Sequence, residues 1–120
     1  MLLGSFYKIL SSNREHGAIK ARVELNAEHA IFKGHFPGRP VVPGVCQLQM
    51  MEEILSQVLG KKLKLKGAAQ IKFISFVDPA LHPLLDVDLK VEKEENDSVL
   101  ISGNYIWEQM IFLKFKGEFQ

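Results

Sequence analysis

One segment of helical periodicity stands among segments of strand periodicity, and this contrast restricts the possible folds. From Gly44 to about Leu59, apolar residues recur at intervals of three and four, the spacing of a helix face. Pro43 and Gly44 precede this run and Gly60 follows it, as expected for the start and stop of a helix. Apolar side chains cover most of the circumference, so we predict a largely buried helix. The polar side chains that share the remaining arc are Gln49, Glu52, Glu53, Ser56 and Gln57.

Most of the remaining chain alternates apolar with polar residues, the period of a strand with one buried and one wet face. The alternating stretches cover residues 19–25, 63–73, 87–91, 99–107 and 111–119. Two shorter strands before the helix and longer ones after it predict an α+β fold, in which a curved antiparallel sheet wraps around one long central helix. A generic sandwich with a surface helix would also fit the periodicity. No repeat or linker divides the chain, so we predict one domain over residues 1–120.

Composition excludes several classes of function. The net charge of +1 does not call for a nucleic acid or an anionic membrane as partner. The single cysteine, Cys46, cannot form an internal disulfide, and no Cys/His spacing indicates a metal site. The N-terminus does not resemble a signal peptide, and no apolar run approaches the ~20 residues of a membrane helix. We therefore expect a soluble, cytoplasmic protein without a metal.

A loop rich in proline and glycine, residues 32–45, joins the second strand to the helix. It contains three prolines and three glycines in fourteen residues, and His35 directly follows the first of these glycines, Gly34. Each proline fixes φ and removes a hydrogen-bond donor, which predicts a rigid loop that holds His35 in one place. A packed histidine with one backbone hydrogen bond is the alternative, but rigid placement suits a catalytic base.

The loop resembles the signature of the 3-hydroxyacyl-(acyl carrier protein) dehydratase family. That family has Gly-His-Phe-Pro-Gly-x-Pro followed by two hydrophobic residues and Pro-Gly-Val, and residues 34–45 match this pattern without a gap. The resemblance implies a hot-dog fold and elimination of water from a 3-hydroxyacyl thioester carried on the phosphopantetheine of acyl carrier protein. No other cofactor is implied. It also implies a homodimer, or a higher homo-oligomer, in which the histidine of one subunit faces the central helix of the other.

The same resemblance assigns roles to individual residues. Neutral His35 would remove a proton from C2, a role that suits an imidazole with an unperturbed pKa of about 6.5. The backbone N–H of Gly44, at the positive end of the helix dipole, would accept the thioester oxygen. The substrate-binding residues would be Phe36, Pro37, Gly38 and Val45.

One position departs from the family pattern. The family has Glu or Asp fourteen residues after the histidine, to protonate the departing hydroxyl, and this chain has Gln49 there. A carboxamide orients a hydroxyl or a water but is not an acid. Three explanations stay open: His35 performs both proton transfers, Glu52 or Glu53 replaces the acid, or the site hydrolyses or only binds acyl thioesters. The last includes a catalytically impaired partner subunit of another dehydratase.

Basic side chains near the loop provide a possible docking surface for an acidic carrier protein. Lys33 and Arg39 flank the histidine, and Arg39 is the better candidate because of its place in the loop. The lysines from Lys61 to Lys66 fit a solvated strand face better. Cys46, in the first helical turn, fits a small buried filler better than a nucleophile.

Overall fold

The computed structural model of this chain describes residues 1–34, 38 and 40–120. Two strands precede the main helix and four follow it. In chain order the elements are β1 (Tyr7–Glu15), β2 (Ala18–Leu25), α1 (Ile31–Gly34), α2 (Gly44–Leu59), β3 (Leu65–Phe73), β4 (Leu84–Glu94), β5 (Val99–Trp107) and β6 (Met110–Phe119). The predicted order of elements is confirmed, with the short α1 as an addition.

Helix α2 begins and ends where the sequence predicts. It starts directly after Pro43 and ends before Gly60, which has φ +69° and donates its N–H to the carbonyl oxygen of Ser56. Glycine adopts this left-handed conformation without steric cost, so the helix stops at that residue. None of the helices in the described ranges is long and apolar enough to cross a membrane.

The six strands form one antiparallel sheet in the order β1-β2-β4-β5-β6-β3. Strands β4, β5 and β6 are consecutive in the chain and pair as neighbours. Strand β3, by contrast, lies at the edge beyond β6, and β1 forms the opposite edge. The chain thus places the strand after α2 at a free edge of the sheet.

The core fills the space between α2 and one face of the sheet. The alternation predicted for the later strands is confirmed, since Val87 and Leu89 of β4 and Val99, Ile101 and Tyr105 of β5 are all buried. From α2, the core receives the fully buried side chains of Met50, Met51, Ile54 and Leu55.

The prediction of a buried face on the third strand is wrong. Leu63 is buried, but it precedes β3, and from Lys66 to Phe73 every residue of the strand is exposed. The reason is the position of β3: it pairs only with β6, and neither of its faces is covered. Its apolar side chains Ile71 and Phe73 therefore remain open to a further partner or ligand.

Candidate active site

A groove lies at the N-terminal end of α2. It is lined by residues 41–44, 47 and 73–76 and has a volume of about 350 Å³. Two backbone hydrogen bonds fix its walls: the N–H of Val42 donates to the carbonyl of Val77 over 2.8 Å, and the N–H of Ile74 donates to that of Phe112 over 2.9 Å. We refer to this mostly apolar cavity as the Gly44 groove.

The start of α2 leaves two N–H groups outside the helical hydrogen-bond pattern. The first helical bonds run from the N–H groups of Cys46 and Gln47 to the carbonyl of Pro43, over 3.0 and 3.1 Å. The N–H groups of Gly44 and Val45 thus belong to the unsatisfied donors of a helix N-terminus. A Cβ on Gly44 would lie 2.7 Å from the Cζ of Phe73, so the absence of a side chain lets the aromatic ring lie against the backbone.

The predicted loop residues are only partly within the described residues. Gly38 has φ +79°, a left-handed conformation that favours glycine, and Lys33 lies exposed in the last turn of α1. His35, Phe36, Pro37 and Arg39 lie outside the described residues, and their roles stay predictions.

Gln49 lies on the open face of α2, one turn after Val45. Val45 is 75% exposed, and Gln49 is half-buried. The Nε2 of Gln49 donates a hydrogen bond of 2.8 Å to Oε2 of Glu53. Gln49, at the position of the family acid, is therefore held in place by Glu53 of the same helix.

Glu53 accepts hydrogen bonds on both of its carboxylate oxygens. Oε2 also accepts from the N–H of Leu2 over 2.8 Å, and Oε1 accepts from the N–H of Leu3 over 2.8 Å and from the hydroxyl of Tyr7 over 3.0 Å. With Gln49, these residues form what we call the Glu53 cluster. Glu53 is only 8% exposed, so it does not lie on the exposed helix margin to which its polarity assigned it.

These contacts decide the protonation of Glu53. Burial raises the pKa of its carboxyl, but the hydrogen bonds from Gln49, Leu2, Tyr7 and Leu3 together outweigh burial and leave the pKa below its ordinary value. Burial, followed by the nearby Glu53 charge, raises the pKa of the Tyr7 hydroxyl far above its usual range. Glu53 is thus an ionised acceptor at neutral pH and is poorly suited to replace the family's proton donor.

Glu52 is engaged elsewhere. Its Oε2 accepts a hydrogen bond of 2.8 Å from the N–H of Leu65, at the start of β3. It lines a cavity of about 610 Å³ together with Gln49, Glu53 and the side chains of Lys61, Lys62 and Lys64. Within one subunit, Gly44 and Gln49 therefore line two different cavities.

Two buried polar groups near the groove, the side chain of Gln47 and the hydroxyl of Tyr105, were missed by the sequence pattern. Gln47 is only 3% exposed, and its Oε1 has no hydrogen-bond partner among the described residues. The hydroxyl of Tyr105 donates to the backbone carbonyl of Gln47 over 2.6 Å. The sequence signal that could have located Gln47 is its spacing: it precedes the core residues Met51 and Ile54 by four and seven positions, and so lies on the same helix face.

Cys46 is a buried, free cysteine, and burial raises the pKa of its thiol. This confirms the prediction of a buried filler, because a protonated thiol is a poor nucleophile. Across the described ranges, no group of His, Cys, Asp or Glu side chains is arranged to hold a metal ion.

The model of the ApeI-like family, described as ApeI dehydratase, matches residues 11–103 of this chain. That span includes the loop, α2 and the sheet as far as β5. The chain belongs to this family. The resemblance to dehydratases on which the site residues were assigned is thereby confirmed at the level of the family.

Curated relatives agree with this assignment. The chain is 30% identical to the 3-hydroxyacyl-[acyl-carrier-protein] dehydratase FabZ of Fusobacterium nucleatum over 101 residues, which are 80% of this chain and 70% of that protein. It is 32% identical to the FabZ of Novosphingobium aromaticivorans over 88 residues, which are 69% of this chain. The match spans only 54% of the length of the Novosphingobium protein.

Solved structures confirm the hot-dog fold. The dehydratase heterocomplex ApeI:P from Xenorhabdus doucetiae matches with a TM-score of 0.70 and 19% identity, covering 92% of this chain and 95% of that one. A thioesterase from Staphylococcus aureus matches with a TM-score of 0.69 and 10% identity, covering 98% and 95%. Dehydratases and thioesterases thus share this fold, so the choice between the two activities depends on the site.

Proposed function

We propose that this protein eliminates water from 3-hydroxyacyl thioesters carried on acyl carrier protein. The observation that carries the proposal is the intact histidine loop, residues 34–45, which leads directly into the N-terminus of α2 at Gly44 in a chain of a dehydratase family. His35 is the base that removes the proton from C2 of the substrate. The product is the 2-enoyl thioester.

The free N–H groups at the start of α2 provide the second part of the chemistry. Removing the C2 proton places negative charge on the thioester oxygen, and the N–H of Gly44 with the helix dipole stabilises that charge. Removing one such donor from other enzymes lowers the rate by ~10²–10³. The apolar wall formed by Phe73, Ile74 and Phe76 suits the acyl chain, or the apolar part of its carrier arm.

The free edge of β3 provides the surface for a second subunit. An uncovered edge strand presents unpaired backbone groups along one side, and Ile71 and Phe73 add exposed apolar area. Pairing of two β3 strands would cover both features. In such a dimer, by the family resemblance, His35 of one subunit would face α2 of its partner, the helix that carries Gln49.

The experiment is an assay of elimination with a variant that removes the base. Purified protein is incubated with a 3-hydroxyacyl thioester on acyl carrier protein, and the conjugated enoyl product is followed by its absorbance and by mass. We expect product from the wild type and a loss of at least about 10²-fold for His35→Ala. His16→Ala serves as the matched control, because His16 is exposed in the β1–β2 turn, away from both cavities. The proposal fails if the wild type forms no enoyl thioester at any chain length.

Thioester hydrolysis is the second candidate function. It is favoured by Gln49, whose amide oxygen could hold an attacking water where the family has an acid. Hydrolysis releases free thiol, which a thiol-reactive dye detects, and leaves the 3-hydroxyl group in place. Thiol release without enoyl product would therefore select hydrolysis. Activity only after mixing with an acid-bearing homologue would select the role of a partner subunit.

A further inference from the structure

The Glu53 cluster fixes the direction in which the Gln49 amide points. An ionised carboxylate only accepts hydrogen bonds, so the Gln49 atom that lies 2.8 Å from Oε2 of Glu53 is the nitrogen. The amide oxygen then points away from Glu53, and no described residue donates to it. Exchange of the two ends of the amide would place two acceptors against each other.

Glu53 itself has little freedom to turn. Its two oxygens accept from the backbone of Leu2 and Leu3 and from the hydroxyl of Tyr7, in addition to Gln49. Four donors fill the usual acceptor capacity of a carboxylate. Three of them belong to the chain segment around β1, so the orientation of Gln49 depends on contacts outside the helix.

We infer that Glu53 is a positioning residue that holds the Oε1 of Gln49 toward the substrate, as an acceptor for the hydroxyl at C3. The inference rests on the proposed function, because it places Gln49 beside the substrate. It also defines specificity: a 3-hydroxyl group donates to this oxygen, whereas a 3-oxo group presents a second acceptor to it. The site therefore selects 3-hydroxyacyl over 3-oxoacyl thioesters.

This arrangement also assigns the protons of the reaction. His35 takes the proton from C2, and the electron pair of that C–H bond passes into the thioester as an enolate whose charge lies on the thioester oxygen. The pair then returns to form the C2=C3 double bond as the C3–O bond breaks, and the hydroxyl leaves as water with the proton that His35 returns to it. Gln49 holds the hydroxyl throughout and gives up no proton, so the reaction balances without a second acid.

The test measures ligand selection in the His35→Ala background, where the ligand is not consumed. We compare the Kd of 3-hydroxybutyryl-pantetheine with that of 3-oxobutyryl-pantetheine. With Gln49 intact, we expect the hydroxy ligand to bind about tenfold more tightly, which corresponds to the loss of one hydrogen bond. Gln49→Met, of similar shape but without the amide oxygen, should abolish that preference. Equal affinity of the two ligands for the Gln49 protein would overturn the inference.

A second pair of variants tests whether Glu53 orients the Gln49 amide, separately from any effect on folding. Glu53→Gln can donate as well as accept, so it permits the Gln49 amide to turn, and the preference for the hydroxy ligand should fall toward one. Glu52→Gln is the matched control, because Glu52 contacts Leu65 instead of Gln49 and the preference should persist. An unchanged preference in Glu53→Gln would overturn the role of Glu53.

A measurement on the wild type covers the case in which Glu53→Gln does not fold. The side-chain NH₂ of Gln49, assigned by NMR through its absence in Gln49→Met, should show one proton protected from exchange by the hydrogen bond to Glu53. Two equally exposed protons would overturn the inference. Failure of the proposed function looks different: the hydroxy ligand is still preferred and the Gln49 amide is still ordered, but no enoyl product forms.

Discussion

Replacing Glu53 by alanine removes a carboxylate to which two backbone N–H groups, one buried hydroxyl and one amide donate hydrogen bonds. The hydroxyl of Tyr7 is the most costly to leave without a partner, at ~1–3 kcal/mol, because Tyr7 is buried. The other three donors, the N–H groups of Leu2 and Leu3 and the amide of Gln49, lie at partly exposed residues. Water can hydrogen-bond to them once the carboxylate is gone, so each contributes less to the loss of stability. We expect the free energy of unfolding to fall by about 3–5 kcal/mol.

Urea unfolding, followed by circular dichroism, measures this change, and Glu52→Ala provides the matched control. Glu52 lies next to Glu53 on the same helix but accepts one hydrogen bond from a partly buried N–H, so its loss should cost about 1 kcal/mol. The two substitutions remove the same atoms from the same helix, which cancels the effect of helix propensity. If Glu53→Ala destabilises no more than Glu52→Ala, the Glu53 cluster does not hold the chain segment around β1 to α2.

The titration of Glu53 and the close packing of two glycines lead to three further predictions. The pKa of Glu53 in the folded protein lies below its ordinary value, so the stability that ionised Glu53 adds is complete above the ordinary glutamate pKa and is lost as the pH falls through the lower, folded-state pKa. The free energy of unfolding of Glu53→Gln, measured across that acid range, should lack this loss. The same pH dependence in wild type and Glu53→Gln would contradict the prediction. Gly103→Ala should destabilise by about 3 kcal/mol, because its Cβ would clash with the backbone carbonyl oxygen of Asp88, whereas Gly67→Ala, with nothing within 4 Å, should change stability by no more than about 0.5 kcal/mol. Gly44→Ala should leave unfolding almost unchanged, since the flexible Phe73 ring can move, but should slow elimination by about tenfold or more; equal rates would remove Gly44 from the site.

Helix α2 and strands β2 to β6 could be predicted because each has a clear period in the sequence, whereas β1 and the short α1 have none. Helix α2 has the predicted bounds, since Pro43 and Gly60 interrupt the backbone pattern at its two ends. Strand β3 shows where periodicity stops being informative. Alternation predicts a strand but not its place in the sheet, and an edge strand can carry apolar side chains on an uncovered face.

The site could be predicted only where a contiguous motif carries it. The histidine loop and Gly44 follow one another in sequence, so the family pattern located them together. In the Glu53 cluster, Glu53 contacts Leu2, Leu3 and Tyr7, which precede it by 51, 50 and 46 positions. A local sequence pattern does not predict contacts at such separations. Polarity alone assigned Glu53 to the wet arc of α2, because a buried carboxylate is identified by its partners, and those lie on another element.

The most direct test of the proposed chemistry is a single reaction in which both possible products are measured. Wild-type protein is incubated with a 3-hydroxyacyl thioester on acyl carrier protein, and enoyl thioester and free thiol are determined from the same sample by mass and by a thiol-reactive dye. We expect the wild type to form enoyl thioester without thiol release, and His35→Ala to lose that product. Free thiol with no enoyl thioester would contradict it.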